Sequence, residues 1–222
     1  MTRSYHQYCP IAYSLDLVGD RWTILVVREL IYGPRRYTDI QRGLPKMASN
    51  LLSRRLTGLE ESGLLHTRHL PPPAAITVYE LTDYGRTLKI LIDAHTRWGL
   101  HLMIQNQSLF AEDFLGIMPL LNALNVLFDA EAGREATLTA ELHIGDEVVH
   151  CEIANGKIHI AQGAATQPDV IAQAEPKTVL MLAVGSINLT EALKSGMIAI
   201  QRGEEATLKT FFDLFRFPVE AV

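Results

Sequence analysis

The sequence predicts an α+β fold in two parts: a helical front half closed by a two-stranded hairpin, and a back half built as an antiparallel sheet with helices on one face. Three observations predict it. Apolar residues in the front half recur at helical spacing as far as Gly63 and then switch to alternation. The back half carries a cleanly alternating run, Ala136–Ile144, and an Asn155-Gly156 pair, the strongest short-range hairpin signal. Charge divides at the same place. Residues 1–110 hold 13 Lys and Arg against 9 Asp and Glu, residues 111–222 hold 7 against 16, and so a front half of +4 precedes a back half of −9.

The overall charge of −5 therefore conceals a front half whose sign suits phosphate. The 222 residues suffice for two ordinary domains. The apolar pattern is interrupted by Gln105–Gln107, Ser108, Glu112 and Asp113, which divides the chain into domains 1–111 and 112–222. With 48% hydrophobic and 20% charged residues, both parts have material for a core. The first residues lack the apolar stretch of a signal peptide, and no run approaches the ~18 apolar residues of a membrane helix. A cytoplasmic protein without a membrane partner is expected. Two cysteines, Cys9 and Cys151, are too few for a disulfide framework and lack metal-ligand spacing.

Taken in order, Ile11–Val18 is a short amphipathic helix stopped by Gly19. Trp22–Tyr32 is strongly apolar and stopped by Gly33-Pro34. Tyr37–Arg42 makes one and a half turns before Gly43-Leu44-Pro45. Ser49–Ser62 carries Leu52, Leu56 and Leu59 on one stripe, and Gly63 ends it. Leu64–Leu70 and Ile76–Leu81 form the hairpin, with a stiff Pro71-Pro72-Pro73-Ala74-Ala75 tip. Thr82 caps a long helix from Asp83 to about Met103, with Leu88, Leu91, Ile92, His95, Trp98 and Leu102 on one face. That stripe exceeds what a small domain needs, which points to a partner helix from a second subunit and gives Leu91, His95, Trp98 and Leu102 a dimerisation role.

In the back half, Met118–Ala130 is an apolar helix. Ala136, Leu138, Ala140, Leu142 and Ile144 face inward, and Thr137, Thr139, Glu141 and His143 face outward. After Gly145-Asp146, Val149, Cys151 and Ile153 form the next inner face, followed by Ile158 and Ile160 beyond Asn155-Gly156. Asp169–Ala172 is a fourth strand, Pro176–Val184 and Thr190–Ser195 are helices, Met197–Gln201 is a last strand, and Glu204–Phe215 is a Phe-rich final helix.

Helix, short helix, tight turn, longer helix and two-stranded wing is the order of a winged helix-turn-helix. The major groove admits one α-helix, and a second must brace it. Here Tyr37–Arg42 is the brace and Ser49–Ser62 the reader. With the leucine stripe inward, Ser49, Asn50, Ser53 and Arg54 face outward, and Asn and Arg suit adenine and guanine edges. Arg35, Arg36, Lys46 and Arg68 flank this surface as phosphate contacts. Arg55, one position round toward the core side, predicts a salt bridge.

His143, His150 and His159 fall on outward strand positions, and a two-residue Asn155-Gly156 turn sets Glu152 opposite His159, a donor set zinc would accept. Outward polar positions on a strand are ordinarily solvated, so no metal and no cofactor is expected. There is no phosphate loop and no nucleophile elbow, and an enzyme is not expected. Cys9 has neighbours Tyr8, Pro10 and Ile11, none of them cationic, which favours a small buried hydrophobe over a reactive thiol.

The run Cys9-Pro10, Leu17-Val18-Gly19-Asp20-Arg21-Trp22, Arg28-Glu29-Leu30, Gly33-Pro34-Arg35-Arg36-Tyr37, Asn50-Leu51-Leu52-Ser53-Arg54-Arg55-Leu56, Gly63-Leu64 and Tyr79-Glu80-Leu81-Thr82 resembles the HxlR family of bacterial transcriptional regulators over about residues 5–104. The resemblance implies a homodimer, made by the terminal helices, on a palindromic double-stranded DNA operator. It also implies a thiol-sensor candidate in Cys9, which pairing between two subunits would serve. The chain departs from the family at the wing tip, which has no cation, so backbone contact falls to Arg68 or His69. Gly145-Asp146, Asn155-Gly156-Lys157, the segment Thr190–Gly196 and the Phe-rich last helix resemble the sterol carrier protein family. That resemblance implies an apolar cavity and an apolar small-molecule ligand. Two readings follow: a dimeric DNA-binding regulator with a ligand-sensing back half, or a lipid-binding or transfer protein whose winged helix is an interaction module.

Overall fold

The computed structural model describes residues 4–72, 75–105 and 113–217. Packing divides the chain into two compact units, 1–92 and 93–222. The boundary expected at 111/112 lies outside the described residues.

The first unit runs α1 (Pro10–Val18), α2 (Thr23–Leu30), α3 (Tyr37–Gly43), α4 (Ser49–Glu61), β1 (Leu65–His69), β2 (Thr77–Leu81), α5 (Asp83–Arg86) and the start of α6 (Lys89–Gln105). Its core gathers Val26, Val27 and Leu30 of α2, Ile40 of α3, Leu52, Leu56 and Leu59 of α4, Leu65 and Leu81 of the hairpin, and Ile92. The leucine stripe read from the sequence is thus what fixes α4. Burying each such side chain is worth about 1.5–3 kcal/mol. The long helix expected from Asp83 to Met103 is instead two helices. Thr82 Oγ1 accepts from Gly85 N–H at 3.0 Å and starts α5, but Thr87 Oγ1 donates back to Tyr84 O at 2.6 Å. Leu88 N–H and Ile90 N–H then reach only three residues back. A hydroxyl competing for a helix carbonyl in this way bends the chain. Leu88 and Ile92, assigned to one stripe with Leu91 and Trp98, pack instead on the first unit's core.

One carboxylate lies deep in this unit. Glu29 is 1% exposed, with Oε1 taking Arg28 Nη2 at 2.6 Å and Oε2 taking Arg35 Nη1 at 3.0 Å. Arg35 also exchanges backbone hydrogen bonds with Tyr79 of β2, at 3.0 and 2.8 Å. Gly43, at the end of α3, leaves the room: a Cβ there would fall 2.2 Å from Glu29 Oε2.

The second unit holds α7 (Ile117–Leu127), β3 (Leu138–Ile144), β4 (Glu147–Ala154), β5 (Lys157–Gln162), β6 (Val170–Ala174), α8 (Pro176–Ala183), α9 (Leu189–Lys194), β7 (Ile198–Arg202) and α10 (Glu205–Asp213). The sheet order is β5-β4-β3-β6-β7. Asn155 and Gly156 both have positive φ (53° and 68°), as a type I′ hairpin turn requires, and a Cβ on Gly156 would fall 2.7 Å from Ala130 O. Glu152 pairs with His159 across that hairpin. The sheet is antiparallel except at one place. The chain crosses after β5 to the far side of β3, so β6 runs parallel to β3, with Ala140 opposite Val170. Leu138, Ala140, Leu142, Val149, Cys151, Ile153, Val170 and Ala172 form the buried face. Phe211, Phe212 and Phe215 interlock edge to face beside it.

Glu141 corrects the outward face. It is 4% exposed, because the segment after β5 supplies Ala165 N–H to Oε2 at 2.7 Å and His143 Nε2 lies 2.7 Å from Oε1. Burial alone raises its pKa, but these two bonds outweigh it and leave it lowered. The stabilisation is present above the ordinary carboxylate range and is lost as pH falls through the lowered value.

Glu29→Ala leaves Arg35 buried without its carboxylate, which is expected to remove about 3–5 kcal/mol of stability in urea unfolding. A loss below about 1 kcal/mol would show that the pair is dispensable.

Candidate nucleic-acid interface

The brace and reader are fastened by side chains at both ends of the turn between them. Tyr37 OH donates to Ser49 O at 2.8 Å and Ser53 Oγ to the same carbonyl at 3.1 Å. Gln41 Nε2 donates to Met47 O at 2.7 Å. Burial pushes the Tyr79 phenol above its ordinary value, as do Glu60 and Tyr37. Helix α4 starts after Ala48, its N-cap, which offers no side-chain acceptor to the first N–H groups.

With Leu52, Leu56 and Leu59 inward, Ser49, Asn50, Ser53 and Arg54 are all exposed, as the stripe predicts. Thr57 joins them; it lies seven residues after Asn50, a spacing that already marked the shared face. Arg36, at the start of α3, and Lys46, in the turn, are exposed. Arg42, overlooked in the sequence, adds a further exposed cation at the end of α3. Arg55 turns away and pairs with Asp20, as its position predicts.

Two of the residues expected to contact phosphate are engaged within the chain. Arg35 is 5% exposed and committed to Glu29, because the chain must tie α2 to β2 at that point. Arg68 is on the wing, but its Nε lies 2.9 Å from Glu80 Oε2. His69 Nδ1 is engaged with Thr77 Oγ1 at 2.9 Å. Of the wing tip, residues 73 and 74 lie outside the described residues.

Of the residues expected to dimerise, Leu91, His95, Trp98 and Leu102 are all exposed, Trp98 at 68%. Ile11, Tyr13 and Leu15 of α1 are exposed as well. Cys9 sits half-buried at the N-cap of α1, its carbonyl accepting from Tyr13 N–H at 2.9 Å. Cys151 is fully buried and its thiol is pushed up to about 12 by that burial. Among the described residues no group of three His, Cys, Asp or Glu is arranged to hold a metal. His150 Nδ1 is instead within hydrogen-bond reach of Gly163 O at 2.8 Å. No helix among the described residues is long and apolar enough to cross a membrane.

A braced reader helix followed by a two-stranded wing defines a helix-turn-helix protein of the transcriptional-regulator class. The sequence pattern of the HxlR-like helix-turn-helix family matches residues 17–107. The uncharacterized HTH-type transcriptional regulator YybR of Bacillus subtilis (strain 168) is 31% identical over 93 residues, 41% of this chain and 73% of that protein. YdeP of the same organism, described in the same words, is 32% identical over 94 residues, 41% of this chain and 71% of that protein. Among solved structures, the redox regulator HypR in its oxidized form is 28% identical, covering 42% of this chain and 96% of that one, with a TM-score of 0.40. The chain belongs to the HxlR-like helix-turn-helix family.

The two thiols should separate under a thiol reagent in native buffer. One thiol per chain reacts, and Cys9→Ser abolishes the reaction whereas Cys151→Ser leaves it unchanged. Rapid titration of two thiols in the folded protein would contradict the burial of Cys151.

Proposed function

We propose that this chain is a homodimeric, cytoplasmic bacterial transcription factor that grips a palindromic operator through α4 of each copy. The observation that carries this reading is the exposed face Asn50, Ser53, Arg54 and Thr57, held rigid from behind by three buried leucines and from the side by Tyr37 and Gln41. Arg54 and Asn50 read base edges, and Arg36, Lys46 and Arg42 hold phosphates. The exposed Leu91, His95, Trp98 and Leu102 of α6 are the surface a second copy covers. Cys9, at a helix N-terminus, is the residue through which a thiol signal would act.

Residues 112–222 form the regulatory domain in this reading and bind an apolar small molecule. A groove of about 540 Å³ in the second unit is the candidate place for it. Leu182, Ile187, Phe212 and Phe215 are among its apolar lining, and Lys209, Asp213 and Arg216 line it too. Its size falls in the range of small-molecule sites, about 300–1,000 Å³. Native mass spectrometry of the purified chain reads the subunit count and any apolar molecule carried along.

Arg54→Ala should weaken binding to the gene's own upstream DNA by about five- to 150-fold, since a bidentate base contact is worth about 1–3 kcal/mol. Affinity for a scrambled duplex should fall far less, and the subunit count should not change. Undiminished operator affinity would remove Arg54 from the reading surface. Trp98→Lys should convert the dimer to a monomer in light scattering, and a dimer that persists would place the interface elsewhere.

A further inference from the structure

The wing of this protein is electrically silent, and one side chain makes it so. Between Leu65 and Leu81 the sequence holds one Arg, one Glu and no Lys or Asp. Those two, Arg68 and Glu80, are paired at 2.9 Å. Glu80 takes more than Arg68. Its other oxygen holds Arg86 Nη2 of α5 at 3.0 Å, and His66 Nε2 lies 3.8 Å from Oε2. Arg86 is further held by Asp83 at 2.5 Å. Glu80 is only 19% exposed, whereas Arg68 and Arg86 are about half exposed. The carboxylate therefore sits beneath its cations, on the protein side, and the guanidinium groups form the outer layer.

Such a layer is what a phosphate meets when a wing lies along a duplex. A guanidinium already satisfied by a carboxylate brings little net charge to that encounter. The contrast lies on the same unit: Arg36, Lys46 and Arg54 are exposed, with no ion pair among the described residues. We infer that Glu80 is a built-in counter-charge that withholds Arg68 and Arg86 from phosphate, lowering affinity for DNA at large and leaving discrimination to α4. This rests on the DNA-binding reading above. A term common to every duplex cancels from the ratio between operator and other sites, so this counter-charge loosens the hold on all DNA alike and leaves that ratio to the base contacts of α4.

The opposite role is physically distinct: Glu80 would aim Arg68 at a phosphate, and removing it would weaken binding. Full-length wild type, Glu80→Gln, Glu80→Asp, Arg68→Gln and the Glu80→Gln/Arg68→Gln double variant are titrated against a short duplex of scrambled sequence across a salt series. Thermal melting verifies the fold of each variant. Glu80→Gln should bind more tightly at low salt and steepen the log–log salt slope by about 0.9 for each phosphate newly held. The gain should shrink by roughly threefold per new contact when salt rises fourfold. Glu80→Asp, which keeps the charge, should stay near the wild-type slope. Arg68→Gln should change little alone and should cancel part of the gain in the double variant. Weaker binding or an unchanged slope in Glu80→Gln overturns the inference while leaving the DNA-binding reading intact. Failure of the folded wild type to bind any duplex, the upstream DNA included, overturns both.

Discussion

The buried carboxylate of Glu29 joins three pieces of backbone that must agree if α4 is to stand proud of its domain. It anchors Arg28 in its own helix and Arg35 in the chain leading into the brace, and Arg35 clasps β2 through paired backbone bonds at Tyr79. The end of α3 passes so close that a side chain at position 43 would displace the Glu29 carboxylate. An ion pair removed from water contributes modest net stability, but its partners are strongly penalised when separated. The result is a geometric fix: brace, helix α2 and wing cannot drift independently. The leucine stripe supplies the adhesive energy, and Glu29 sets the angles.

That arrangement explains which parts of the site were legible in the sequence. The reader helix was legible because Leu52, Leu56 and Leu59 determine the outward positions by geometry alone. Arg55 was legible for the same reason. Arg35 was not, because a run of Gly33-Pro34-Arg35-Arg36 carries no periodicity and nothing local marks which arginine turns inward. The partner that decides it, Glu29, sits on a helix face that reads as apolar apart from that one residue. The ion pair of Arg68 was illegible for a related reason: its partner lies across the hairpin, in a register that only the paired strands reveal.

In the second half, strands and turns were legible and their order was not. The Asn155-Gly156 turn places β4 and β5 unambiguously, and the inner faces follow from alternation. The crossing that sets β6 beside β3 leaves no mark in local sequence, since a strand reads the same whichever neighbour it takes. Glu141 sits at an outward position by alternation and is nevertheless buried, because a loop twenty-four residues later folds back on it. Long-range cover is the kind of information that patterning does not contain.

The same crossing shapes how this half is assembled. Strands β3, β4 and β5 form a meander whose contacts are close in the chain, so that part can zip up from its turns. The β3–β6 pairing closes a far longer loop, with Thr139 and Asp169 bonded thirty residues apart. Until β6 arrives, the flank of β3 is an open strand edge carrying apolar side chains, the type of surface through which nascent chains join one another. In the finished sheet β6 covers that edge, so one long-range pairing both completes the sheet and buries the flank of its central strand.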